Sequence, residues 1–320
     1  MNKISLKANP KISVILHIRK SGEELKKCLS SLLDQTIPHE WYEIITIDDA
    51  STDKTAEILD TFNDSLNILR NETFSGGPKS RNLGAHHAQG RIILFTAADC
   101  IADKRLLEEH LASHSLHDNC AVVGNIDWIE LEKKSYFIDF LEQSRFWVCQ
   151  KPSDIPDPTN VHYTYTYGAN LSLLKKTYAT IGMADERIFP GYYSDTELGY
   201  RLYNDGIRIV YNKNAKVFHS TDLNISNFSK RMIAVGRAAV KLESINPEVL
   251  DFSNWKKEKY SIFKLRFLTK QFLFIALTYQ FFERFNYGQN VRARLFEVYK
   301  RQLDYSFRLG FARELKFSLS

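Results

Sequence analysis

An α/β fold, a Rossmann-like and mostly parallel sheet flanked by helices with a C-terminal helical extension, is predicted by three observations. Short β-branched runs alternate with amphipathic stretches up to about residue 125. Acids gather where the expected strands end, at Asp48, Asp49 and Asp99, the edge at which open α/β sheets hold ligands. Residues 251–320 have a composition of their own, with 14 Lys/Arg against 6 Asp/Glu and 18 of the chain's 41 aromatics. Such a segment reads as a separate unit.

"KISVILHI" predicts the first strand and "YEIITIDD" the second, each a buried run ended by polar turn residues. Between them, "SGEELKKCLSSLLDQ" places Leu25, Cys28, Leu29, Leu32 and Leu33 on one helical face, with Ser21 as its N-cap. "STDKTAEILDTF" repeats the device with Ser51 or Thr52 as cap. "LNILRN", "GRIILFTAAD" and "CAVVGNIDW" supply three more strands, and a turn and a helix follow directly on Asp99. From about residue 126 to 170 the pattern loosens into a Pro/Asp/Tyr-rich loop, "KPSDIPDPTNVHYTYTYG", that suits an acceptor-side or lid segment. "LSLLKKTYATIG" reads as a helix ended by Gly182, and "SDTELGYRLYNDG" as one capped by Ser194 or Asp195 and closed by Gly206. "IRIVYNKNAKVFHS" is an extended stretch or strand pair. Two further helices, joined near Gly288, fill the basic tail.

Composition removes several classes of function. Four cysteines, Cys28, Cys100, Cys120 and Cys149, show no CxxC spacing, which argues against a zinc or disulfide framework and suits a reducing, cytoplasmic setting. The apolar run "ISVILHI" is too short for a secretory signal. The longest later run, Gln271 to Phe282, is about half of the ~20 residues that span a bilayer. Basic residues interleaved with aromatics between 252 and 316 suit a helix lying on the inner, anionic face of a membrane, or a hairpin packed on another subunit or on its own domain. No nucleic-acid motif accompanies the charge.

Four constellations carry chemistry. "IDDASTD" puts Asp48 and Asp49 at a strand end, where an acid caps the next helix or accepts the N–H of a pyrimidine. "SGGPKSRNLGAHHAQG" is a glycine turn followed by Pro78 and the cations Lys79 and Arg81 near a helix N-terminus, where anions are favoured; His86 and His87 read as surface residues. "FTAADC" carries Asp99 behind Ala97 and Ala98, a turn residue or an oxygen ligand for a divalent ion, with His219 as a second ligand from far along the chain. "FPGYYSDTELGYRL" opens a helix with Asp195 and Glu197, acids that favour a helix N-terminus or one of which serves as general base.

Taken in order, "KISVILHI", "LKKCLSSLLDQ", "YEIITIDDASTD", "GGPKSRNLGA", "ILFTAADCIADKRLLEEH", "YGANLSLLKK", "YYSDTELGYRLYNDGIRI" and "VFHS" resemble the family 2 glycosyltransferases of the GT-A fold over residues 11 to 240. The resemblance implies a nucleotide-diphospho-sugar donor, most often a UDP-sugar, and inverting transfer of a single sugar to a glycan, lipid-linked or protein acceptor, helped by Mn²⁺ or Mg²⁺. It gives Asp49, with Asp48, the nucleobase; Arg81, with Lys79, the charge of the nucleotide; Ala98 and Asp99 the donor turn; Asp99 and His219 the metal; and Asp195 the general base. Residues 1–250 would be the catalytic domain and 251–320 a helical hairpin, with homo-oligomerisation through the hairpin left open.

The chain departs from the family pattern at three places. His17-Ile18-Arg19-Lys20 stands where P-x-Y-N is common, Ala97 replaces the first acid of the DxD motif, and Ser194 replaces the glutamate of an ED pair. No Q-x-x-R-W-like segment follows His219, which argues against a processive synthase. Ala97 and Ser194 favour a rival reading, a degenerate domain that binds a nucleotide or partner without transfer. A nucleotidyltransferase would want a glycine-rich basic loop after the first strand, and "HIRKSGEEL" is a poor one.

Overall fold

The structure is a computed structural model that describes residues 10–129, 135–144, 155–220, 223–251, 261–283 and 289–318. The chain divides into two compact units, Met1–Ile129 with Cys149–Thr221, and Glu130–Val148 with Asp222–Ser320.

The first unit is built on a sheet of eight described strands: β1 (Ile12–Ile18), β2 (Tyr42–Asp49), β3 (Asn67–Asn71), β4 (Ile92–Ala97), β5 (Cys100–Ala102), β6 (Ala121–Trp128), β7 (Asn170–Leu174) and β8 (Ile209–His219). Their order is β3-β2-β1-β4-β7-β6-β8-β5. β7 runs antiparallel to β4 and β6, and β5 antiparallel to β8, while the remaining neighbours are parallel. Helices α1 (Glu24–Leu33), α2 (Thr55–Asp60), α3 (Gly77–His87), α4 (Leu106–Leu116), α6 (Lys175–Thr180) and α7 (Ser194–Asn204) belong to this unit, and α5 (Tyr136–Gln143) to the second.

Helices cover both faces because β1 alternates. Val14 and Leu16 pack with Leu25, Leu29 and Leu32 of α1, while Ile15 turns to the opposite face with Ala85 of α3. Full burial of each such leucine is worth roughly 1.5–3 kcal/mol, so a one-residue slip of β1 would forfeit both layers. The strand order reverses beside β1, and the carboxyl ends of β1, β2 and β4 therefore open on one crevice.

Several local expectations are corrected. "LSLL" is not helical: Asn170–Leu174 is strand β7, and α6 begins only at Lys175. Leu171 and Leu173 enter a hydrophobic core while Asn170 and Ser172 bond to His110 and His114 of α4, a period of two that the apolar run hides. Strand β5 follows Asp99 before any helix, too short to show a period of its own. "IRIVYNKNAKVFHS" forms one strand, β8, with a bulge opposite Gly124/Asn125. The expected caps are also displaced. Ser21 donates its backbone N–H to Thr55 Oγ1, Ser51 Oγ accepts from Lys20 N, and α7 starts after Tyr193 in the left-handed region at φ 68° with no side-chain cap. His86 and His87 lie exposed, as expected. Cys28, Cys100 and Cys120 are buried and not in disulfides, whereas Cys149 falls outside the described residues.

The second unit takes in α5, α8 (Ile225–Ile245), α9 (Ile262–Glu283) and α10 (Gln289–Ser318); the expected joint at Gly288 lies outside the described residues. It therefore begins at Asp222 on the C-terminal side and takes in two helices, α5 and α8, that lie within the 1–250 segment expected from the sequence. α8 and α10 cross closely: a Cβ at Gly236 would stand 2.1 Å from Phe307 O, and one at Gly310 1.9 Å from Ile233 O. Gln302 Nε2 donates to Ser229 Oγ at 3.0 Å, and Arg237 pairs with Glu314 at 2.9 Å. Phe137 of α5 packs edge-on against Phe228 and Tyr299. Among the described residues no helix is long and apolar enough to cross a membrane.

Candidate active site

The crevice at the carboxyl edge of the sheet collects most of the singled-out residues. β2 delivers Asp48 and Asp49 to its last two positions, and their side chains leave on opposite faces. Asp48 is buried, and its Oδ1 accepts from Ser51 N at 3.1 Å, which closes the turn after the strand. Asp49 is fully buried and takes four hydrogen bonds. Oδ1 accepts from Asn71 Nδ2 (2.9 Å) and Ser75 N (2.8 Å), and Oδ2 from Gly76 N (2.8 Å) and His17 Nε2 (2.9 Å). Burial opposes ionisation of this carboxyl, but the bonds from Asn71, Ser75, His17 and Gly76 outweigh it and hold Asp49 below the ordinary carboxylate value.

α3 opens on the glycine turn as expected, with Pro78 in its first turn and Gly76 at φ 84° before it. Lys79 is exposed on that first turn. Arg81, one turn further in, reaches Asp195 at the start of α7, so its Nη1 bonds to Asp195 Oδ1 although the two lie 114 residues apart. Arg81 also lies beneath the Phe95 ring, 5.8 Å from the centroid. Gly168 is where the chain passes this pair: a Cβ there would stand 2.5 Å from Arg81 Nη2 and 2.6 Å from Asp195 Oδ1. Thr166 Oγ1, 2.9 Å from Asp195 O, ties the Tyr-rich segment to the same helix start. Ser194 turns its hydroxyl to Gly191 O at 2.7 Å. Glu197 is buried and clamped by Arg201 at 2.7 and 2.8 Å, a structural pair that leaves no carboxylate for chemistry.

At the end of β4 the turn brings Asp99 to the surface, 43% exposed, while Ala98 sinks its methyl into the core. His219 arrives beside Asp99 because β5 pairs antiparallel with the end of β8, Cys100 opposite His219. The two side chains stand 3.2 Å apart, and Ser220 closes the arrangement by donating N–H and Oγ–H to Asp99 O. Among the described residues no three His, Cys, Asp or Glu side chains converge as a metal cluster. Asp99 and His219 form a two-donor set, one oxygen and one nitrogen. Its carboxylate suits Mn²⁺ or Mg²⁺, ions that take remaining ligands from substrate phosphates and water, and its imidazole favours Mn²⁺ of the two.

The sequence reading passed over Asn71, Gly168 and Thr166, whose parts depend on contacts across the fold. His17 and Arg19 stood out only as departures from a pattern.

Residues 13–170 match the family model described as Glycosyl transferase family 2. The chain is 32% identical to Glycosyltransferase AglE of Haloferax volcanii over 37% of its own length and 40% of that protein's. It is 35% identical to the Poly(ribitol-phosphate) beta-N-acetylglucosaminyltransferase TarS of Staphylococcus aureus over 32% of its own length and 18% of that protein's. The match thus spans less than half of these curated relatives. Solved structures align over more of the chain. TarS 1-349 of S. aureus in complex with UDP is 19% identical at a TM-score of 0.54, covering 96% of this chain and 92% of that one. Mannosyltransferase PcManGT of Pyrobaculum calidifontis, in complex with GDP-Man and Mn²⁺, is 13% identical at 0.59, covering 96% and 88%. At these identities the likeness speaks for the fold, which is that of GT-A glycosyltransferases.

Proposed function

Since the chain belongs to glycosyl transferase family 2, we propose that its first unit is the catalytic domain of an inverting glycosyltransferase. It moves a single sugar from a nucleoside diphosphate sugar, a UDP-sugar foremost, to a hydroxyl of a cell-envelope glycan or glycolipid. The observation that carries the reading is the meeting of Arg81 and Asp195 in the crevice that also receives Asp99 and His219. The relative TarS, by name a poly(ribitol-phosphate) beta-N-acetylglucosaminyltransferase, and its structure in complex with UDP support it.

In this mechanism Asp195 takes the proton of the acceptor hydroxyl. The freed oxygen attacks the anomeric carbon from the side opposite the diphosphate, and the bond to the diphosphate breaks with its electron pair left on the phosphate oxygen. Arg81 steadies the Asp195 carboxylate from one side and presents its cation towards the departing charge, with Lys79 adding a second from the helix N-terminus. Asp99 and His219 would hold the divalent ion, which supplies Lewis-acid neutralisation of the diphosphate.

The reading extends to where the protein works. On α9, Phe263, Phe267 and Phe274 are 83%, 61% and 73% exposed and recur along one face, with Lys264, Arg266 and Lys270 on the same helix. An anionic membrane surface suits that combination. A second copy suits it less, since residues 251–320 carry a net charge of +8 that would face itself.

The test is calorimetric titration of UDP and GDP with and without Mn²⁺, on wild type and Asp99→Ala. Metal-dependent binding that falls at least tenfold in Asp99→Ala is the expected result. Failure of every nucleotide to bind would overturn the donor site and leave a degenerate domain.

A further inference from the structure

The nucleobase end of this crevice departs from the arrangement the resemblance implied. A carboxylate offers about four acceptor positions, and at Asp49 all four are taken. Three of its donors are fixed by the fold: Asn71 on β3, and two backbone N–H groups of the glycine turn. The fourth is His17, at the end of β1, where the resemblance would place a proline. An ionised carboxylate accepts only, so the His17 proton must sit on Nε2, which leaves Nδ1 with a lone pair. Burial lowers the His17 pKa, against the opposing hydrogen bond to Asp49 and with help from Arg81 and Arg19, so the ring is neutral at pH 7.

Nδ1 has no partner among the described residues and is not among the buried unpaired atoms, so it opens on the crevice. It faces the start of α3, 3.7 Å from where a Cβ of Gly77 would stand. Beside it, Arg19 donates to Asp49 O at 2.6 Å and sits 3.7 Å above the centroid of the Phe74 ring, itself half-exposed. A guanidinium already stacked on one aromatic ring has a second flat face to offer.

We propose that His17, rather than Asp49, reads the nucleobase of the donor: Nδ1 accepts the ring N–H of a base that carries one, and Arg19 on Phe74 forms the platform beside its plane. The bases of that class are uracil, with N3–H, and guanine, with N1–H. Cytosine and adenine present a lone pair at the equivalent atom, and two lone pairs face each other without a bond. The inference rests on the donor-site reading above and adds to it the residue that selects the nucleotide.

The experiment measures binding of UDP, GDP, CDP, N3-methyl-UDP and N1-methyl-GDP to the full chain, wild type and His17→Lys. Wild type is expected to bind UDP or GDP, whichever base fits, and the ring-methylated form of that nucleotide about 10- to 100-fold more weakly, with CDP as weak. His17→Lys keeps N–H donors for Asp49 and offers no acceptor, so the preferred nucleotide should drop to the level of its methylated form. His17→Lys that discriminates as well as wild type, or wild type that binds its preferred nucleotide and the methylated form alike, would overturn the assignment and leave the donor site standing. The methylated-base comparison needs no substituted protein, so it decides even if His17→Lys misfolds. No binding of any nucleotide to wild type would remove the donor site and this assignment together.

Discussion

Four aspartates border the crevice, three at strand ends and Asp195 at the start of α7, and their partners divide the work among them. Asp49 is buried and spent on four donors, while buried Asp48 closes the turn through Ser51 N, so the two shape the turn and the glycine loop. Asp99 is exposed beside His219, and Asp195 is held by one arginine. Of these, Asp195 alone combines a partly open carboxylate with the start of a helix that faces the crevice. Asp195→Asn should therefore lower kcat by about 10²- to 10⁴-fold and leave the Kd for UDP within a few-fold, measured by turnover and calorimetry side by side. Retained turnover would move the base elsewhere, and the Arg201 clamp on Glu197 argues that the nearest acid cannot take over. The sequence drew attention to Asp99, His219, Arg81 and Asp195 because each falls at a strand end or a helix start. It could not reveal that Asp49 is saturated, because its donors come from positions 17, 71, 75 and 76.

Among the elements, β7 and α4 depend on each other. His110 bonds Ser172 and Asn170 at 2.8 Å each, and His114 bonds Ser172 at 2.9 Å. Burial pushes His110 down to about 4, against the raising bond to Asn170, and pushes His114 down to about 3, helped by His110, Arg91 and His117. Both are thus neutral in the fold and charged in the unfolded chain below its ordinary value near 6.5. The unfolded state binds more protons there, so stability is full above about pH 6.5 and falls as the pH drops towards 4. Each histidine contributes a slope of about 1.4 kcal/mol per pH unit, and His17, also lowered, acts in the same direction. Urea titrations between pH 7 and 5 should show the midpoint falling steadily, and a flat midpoint would contradict buried neutral histidines. This network explains why "NLSLL" is a strand: its polar positions find partners inside the fold.

For the whole molecule, the two units differ in chemistry as well as in packing. The first carries the crevice, and the second carries the exposed phenylalanines and cations of α9. Full-length protein should sediment with phosphatidylglycerol vesicles, not with phosphatidylcholine, and release as salt rises. Replacing Phe263, Phe267 and Phe274 with serine should abolish that sedimentation while UDP affinity stays unchanged. Absence of binding to the anionic vesicles, or a concentration-dependent dimer lost with the same substitutions, would sink the membrane assignment.

Periodicity and turn chemistry are local, and they determined the alternating strands and helices, the parallel core of the sheet, the glycine turn and the basic, aromatic tail. Residue order also brought the family into view, since its motifs are short and lie in sequence. Only the tertiary structure decided what depends on distant contact. It paired β5 with β8 and so set His219 beside Asp99; it ran β7 between β4 and β6; it joined α8 to the C-terminal helices. It also filled every acceptor of Asp49, one of them with a histidine that looked like a mere departure. A hydrogen bond is a matter of position in space, and no local pattern fixes which residues far apart in sequence will share one.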